Sequence, residues 1–127
     1  MRIVFKIPTF EGKGKAQRRV DIDATGQLFV LPIGGVKVRC VLQDNGALAH
    51  WATGFVITPT GVQAVKVERM ARLSSYTRTS DRQAAEIALA RLVERVGPAR
   101  VLAAMEAQTV INTRVQPAPA VPKTKEA

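Results

Sequence analysis

The side chains that could do covalent or metal chemistry are few. His50 is the only histidine and Cys40 the only cysteine. A zinc site takes three or four protein donors, so this pair would need carboxylate help, and a partly buried strand histidine is the plainer reading of His50. Cys40 alternates with Val36, Val38 and Leu42, which places its thiol on an inward strand face as a small hydrophobe rather than a nucleophile. Asp21 and Asp23 share one strand face and could share a proton or hold a hard cation, as could Asp44 in a turn. Acids on the solvent face of a strand are commonplace, however, and nothing supplies the rest of a site. With no acid–base pair, nucleophile elbow or dinucleotide loop in the chain, the expectation is a non-enzymatic protein that uses neither cofactor nor metal.

What the chain has in excess is positive charge. Lys and Arg number 19 against 10 Asp and Glu, a net of +9 in 127 residues, which favours polyanionic partners. The densest cluster is Gly12-Lys13-Gly14-Lys15-Ala16-Gln17-Arg18-Arg19. Four cations on a glycine-hinged loop can follow a phosphate backbone, each neutralised phosphate steepening the salt dependence of binding by about one unit. The bland alternative is a solvated loop whose charges aid solubility. A Walker A loop is excluded, because no glycine stands five residues before Gly14 and Ala16 replaces the required hydroxyl. Between Met1 and Cys40 there are eight cations and three anions, so the positive field belongs mainly to the N-terminal part. Lys37 and Arg39 share a strand face, and Arg69, Arg72 and Arg78 form a loose series leading toward the C-terminal half, where charge-assisted phosphate contacts would extend the surface. Single-strand recognition adds exposed aromatic platforms; only Phe10 and Tyr76 sit in segments that read as loops, the other rings lying on apolar strands.

Two kinds of element must position these groups. Over residues 1–72 the apolar side chains follow a period of two, with turn formers between them. Ile3, Phe5 and Ile7 alternate with charged residues up to Pro8, where the strand is expected to stop because proline cannot donate to a ladder. Thr25-Gly26, Gly34-Gly35, Asn45-Gly46 and Thr60-Gly61 read as turns. They divide the region into short antiparallel strands that include 27–33, 36–42, 51–58 and 62–67. Residues 79–110 are helical. Ser80 and Gln83 match a capping box with Asp81 in the first turn, and Ala85, Ala88, Leu89, Leu92, Val93 and Val96 form one stripe. Gly97 and Pro98 then end one helix and start a second. A glycine in the turn invites comparison with a helix-turn-helix, but only Arg100, Glu106 and Gln108 of the second helix could reach a base edge. A helical hairpin packed on the sheet is the better reading. Ser74 to Ser80 is a polar linker, and 116–127, with three prolines among small and charged residues, is a disordered Pro-rich tail.

The resulting expectation is a single α+β domain over 1–115, an antiparallel β-meander of five or six strands covered on one face by the helical hairpin. One cysteine excludes an internal disulfide, and the N-terminus lacks a signal-peptide pattern, which points to the cytoplasm. The long charge-free stretch 45–65 is strand-and-turn in composition, so no membrane span is expected. The functional expectation is a small accessory protein that binds nucleic acid, DNA or RNA, through Lys13, Lys15, Arg18 and Arg19, with Lys37, Arg39, Arg69, Arg72 and Arg78 extending the surface and without sequence reading. The alternative is a protein-interaction or structural subunit that binds a protein partner or forms a homo-oligomer.

Overall fold

The computed structural model describes residues 1–58, 61–64 and 82–118. They form an α+β arrangement, a seven-stranded antiparallel sheet with two helices between its sixth and seventh strands in the chain. The strands are β1 (Arg2–Glu11), β2 (Arg18–Ile33), β3 (Val36–Gln43), β4 (Leu48–His50), β5 (Val56–Thr58), β6 (Gly61–Gln63) and β7 (Gln116–Pro117), and the helices are α1 (Arg82–Val96) and α2 (Pro98–Glu106). Sheet order is β6-β5-β4-β3-β2-β1-β7, a meander closed at one edge by the last strand.

The backbone explains where the strands depart from the pattern of turn residues. β1 runs through Pro8 to Glu11 instead of stopping. Odd residues of β1 bond toward β2, whereas even residues face the outer edge. There Arg2 C=O accepts from Ala118 N–H, Lys6 N–H donates to Asn112 Oδ1, and Val4 pairs with Gln116. Pro8 shares this outer phase, so its missing donor costs the sheet nothing. Thr25-Gly26 is likewise no turn. β2 is one strand of 16 residues, and Gly26 lies opposite both Ile3 of β1 and Gln43 of β3. A Cβ on Gly26 would lie 2.3 Å from the Leu42 carbonyl oxygen, so this glycine serves a close approach between strands rather than a positive φ.

Gly34 and Gly35, at φ +58° and +83°, make the two-residue hairpin turn between β2 and β3. After β3 the Asn-Gly pair works in a three-residue loop in which only Gly46 takes positive φ and Asn45 Oδ1 accepts from Ala47 N–H. The strand expected over 51–58 is interrupted. β4 ends at His50, whose C=O accepts from Gly54 N–H and whose N–H donates to Phe55 C=O, and only Val56 to Thr58 resume the ladder. Gly54 at φ +74° sits in the tight turn and cannot continue a strand. Gln116 and Pro117 pair with β1, so the ordered chain extends past the expected start of the tail. The remainder of the tail, the linker, the capping box at Ser80 and Asp81, Thr60 of the expected fourth turn and the end of the 62–67 strand lie outside the described residues.

Two apolar clusters hold these elements. One face of the sheet, through Leu31, Ile33, Cys40, Leu42 and Ile57, packs against Leu89 and Leu92 of α1 and Val101 and Met105 of α2. The stripe spacing is what turns both helices toward the sheet, and Gly97 at φ +99° makes the one-residue corner between them. The other face gathers Ile3, Phe5 and Ile7 of β1 with Val41, Ala49 and Trp51. β1 and β4 are separated in the sheet by β2 and β3, so this contact requires the sheet to curl on itself. Asn112 fastens the curl: its Nδ2 donates to the carbonyls of Lys6 and Trp51 at 2.8 and 2.7 Å. Among the described residues no helix is long and apolar enough to cross a membrane.

Candidate functional site

Charge pairing decides which of the expected cations are available. In the described residues up to 64 there are four acids, and each is taken by one cation. Arg18 reaches Glu11 at 2.6 Å, Arg19 reaches Asp21 at 2.9 Å, Lys6 reaches Asp23 at 2.8 Å and Arg2 reaches Asp44 at 2.6 Å. The ladder itself sets up two of these pairs, since Glu11 faces Arg18 and Lys6 faces Asp23 directly across β1 and β2. Lys13, Lys15, Lys37 and Arg39 remain without an ion pair among the described residues.

These four expected site cations form two groups rather than one surface. Lys13 and Lys15 are exposed at the tip of the β1–β2 hairpin, beside a short 3-10 turn over Gly14–Ala16, with Gly12 and Gly14 at φ +95° and +55°. Arg18 and Arg19 flank this tip, exposed but engaged with their acids. Lys37 and Arg39 stand at the opposite end of β2, Arg39 lying across from Val30. Twelve residues of strand separate Val30 from Arg18, on the order of 40 Å along the strand at a rise of about 3.3 Å per residue. Arg69, Arg72 and Arg78, and the ring of Tyr76, lie outside the described residues. Phe10 is half-buried, and Phe5 and Trp51 are core side chains.

Around Lys37 and Arg39 the surface is built rather than flat. The Arg39 guanidinium lies 5.3 Å from the centroid of the Trp51 ring, within cation–π range. A cleft of about 320 Å³ opens here, lined by Lys37, Arg39, His50 and Trp51 on the sheet side and by Leu102 and Glu106 of α2. Trp51 buries its Nε1–H without an acceptor among the described residues. His50 Nδ1 lies 2.8 Å from Thr53 Oγ1, and burial holds the imidazole pKa below its ordinary value. Sequence reasoning places Lys37 and Arg39 on one face but misses this cleft, because its far wall comes from a helix some sixty residues away.

Cys40 and the aspartates of the sheet half are engaged within the structure. Cys40 is fully buried, its thiol pushed up to about 12 by desolvation, with Sγ directed at the Val38 carbonyl. Asp21 pairs with Arg19 and Asp23 with Lys6, so each carboxylate is turned to a cation. Asp44 receives both Arg2 guanidinium nitrogens and the Thr25 hydroxyl. Those bonds, chiefly Arg2's, keep its carboxyl below the usual range. No cluster of three or more metal-ligating side chains occurs among the described residues. A scan against protein-family models, a search of curated proteins and a search of solved structures each find no match.

Proposed function

We propose that the chain is a small non-enzymatic accessory protein of a reducing cytoplasm that binds DNA or RNA through phosphate contacts, without sequence reading. The observation that carries this is the pattern of charge pairing: once every described acid of the sheet half is matched, Lys13 and Lys15 stay unmatched and exposed at a hairpin tip. Positive charge on a narrow projection meets a polyanion at little desolvation cost, and backbone contacts position a protein without reading bases. Arg18 and Arg19, already exposed, exchange or share their carboxylates with phosphates at the flanks. The tip offers no free aromatic platform among the described residues, and a short hairpin tip presents its cations without a helix or ribbon to seat them in a groove, which supports contact with the backbone. The non-enzymatic part of the reading is supported by the engagement of Cys40, His50 and the aspartates within the structure. The test is titration of duplex and single-stranded oligonucleotides with the intact protein and with a K13Q/K15Q variant. Loss of most affinity in the variant, with an unchanged far-UV CD spectrum, is the expected result, and equal affinity would show that the tip is not the binding surface.

One observation favours a second reading, association between copies. Residues 19–23 of β2 pair with β1 on one side and with no strand among the described residues on the other, and an open edge is a template for pairing. Light scattering separates the readings, since a salt-insensitive oligomer without affinity for nucleic acid supports this one.

A further inference from the structure

The edges of this sheet are managed unequally. Along the outer edge of β1 the outward-facing positions are closed in turn by Ala118, Gln116, Asn112 and the proline ring of Pro8. β3 has no such closure at its start. Its odd residues bond toward β4: Gln43 N–H donates to Ala47 C=O, and Arg39 C=O accepts from Trp51 N–H. By the same alternation Lys37 directs its N–H and C=O to that side. There the ladder ends, because β4 stops at His50 and the chain turns away through Trp51 to Gly54. The cleft between β3 and α2 is the space a neighbouring strand would fill, and Lys37 offers it one rung with no partner among the described residues.

We propose that this cleft takes a short extended segment of a partner protein, in which apolar and acidic residues alternate, as an added strand on β3. The two faces of the cleft dictate the alternation. Lys37 and Arg39 project on one face, neither in an ion pair among the described residues, and the cleft they line carries one acid, Glu106 of α2, so two cations face a single carboxylate and a residue set opposite Lys37 meets an excess of positive charge and is acidic. Val36 and Val38 project on the other face, toward Leu102 and Met105 of α2, so the residues flanking the acid are apolar. Main-chain bonds to Lys37 supply the rung, and the alternating side chains supply selectivity, as in other strand-addition complexes. At about 320 Å³ the cleft is at the small end of ligand sites, which suits a few residues of peptide rather than a folded edge. A second copy presenting the same edge would set Lys37 and Arg39 against themselves. The two cations thus repel like edges while leaving the site open to an acidic strand.

Trp51, the only tryptophan of the chain, lines the cleft and reports on it. The experiment titrates the full-length protein with a capped peptide alternating Val and Glu, followed by Trp51 fluorescence and by amide hydrogen exchange at Lys37. Two control peptides are used, one with Lys in place of Glu and one of the same charge N-methylated along its bonding edge. Expected are fast exchange of the Lys37 amide in the unliganded protein, its protection on adding the Val-Glu peptide, and a saturable fluorescence change. Binding by each control peptide, and by a K37E/R39E variant of the protein, is weaker by about tenfold or more. Absence of a saturable change up to about 1 mM peptide overturns the proposal. Equal binding of the N-methylated peptide does so as well, since it would leave only charge attraction. A Lys37 amide already protected in a self-associated protein would overturn it too, giving the edge to a second copy. A response of Trp51 to an oligonucleotide but not to the peptide would overturn it by assigning the cleft to phosphate. The site is independent of the hairpin tip, so K13Q/K15Q is expected to leave the peptide titration unchanged.

Discussion

At the scale of the residue, burial decides more than chemical type. Cys40 was readable from its phase among valines, and its fully buried thiol with a pKa near 12 leaves a thiolate fraction of roughly one in ten thousand at pH 8. A disulfide reagent is therefore expected to label Cys40 only after denaturation, and prompt labelling of the native protein would contradict its placement. His50 is the only histidine, and burial sets its folded pKa below the ordinary value of about 6.5. The unfolded chain consequently takes up a proton first as pH falls. Stability is intact above the unfolded value and declines as pH drops toward the folded one. Urea unfolding at pH 7 and pH 5 is expected to show this decline in the native sequence and a smaller one in His50→Gln. Asn112 was not legible, because its partners Lys6 and Trp51 lie 106 and 61 residues away and no local pattern marks it. Asn112→Ala strands buried backbone groups on β1 and on the β4–β5 turn, and is expected to lower the unfolding free energy by about 2–3 kcal/mol in denaturant titration.

At the scale of the element, the sequence conveyed a strand-rich first half and a helical pair after it, but it split β2, missed β4 and placed β7 in the tail. The period of two identified β1 and β3, and the stripe in α1 identified the face that meets the sheet. Local turn chemistry failed where tertiary geometry set the requirement. Gly26 mimics a turn residue but serves the crossing of β2 between two partners, and Pro8 mimics a strand stop but lies in the outward phase. The strand expected over 51–58 leaves out β4 at Leu48–His50 and runs through the turn at Trp51 to Phe55, where Gly54 breaks the ladder before β5. Gly54 is the sharper probe of this level. It takes φ +74°, and an added Cβ would lie 2.3 Å from the Lys6 carbonyl oxygen. Gly54→Ala combines left-handed strain with a backbone clash and is expected to cost on the order of 3 kcal/mol. Gly14, at φ +55° with open space around its Cβ position, is expected to lose about 1 kcal/mol on the same change. Thermal or urea melts of the two variants check the contrast, and equal losses would mean that the contact between Gly54 and β1 is not what closes the curled sheet.

At the scale of the whole molecule, charge is distributed by pairing rather than by region. The sequence placed the excess in the N-terminal part, but it could not show which cations are matched across strands. Over the described residues up to 64 the four ion pairs do so, two of them set up by the ladder, leaving one pair of cations without an acid toward each end of β2. The two ends would then serve separate ligands, a polyphosphate at the hairpin tip and an acidic strand at the start of β3. The most direct measurement is the dependence of duplex affinity on salt concentration for the intact protein and for K13Q/K15Q. Log K is expected to fall linearly with log salt, and removal of the two lysines to make the slope shallower by about two units. An unchanged slope, or no measurable binding of the intact protein at low salt, would contradict phosphate binding at the tip.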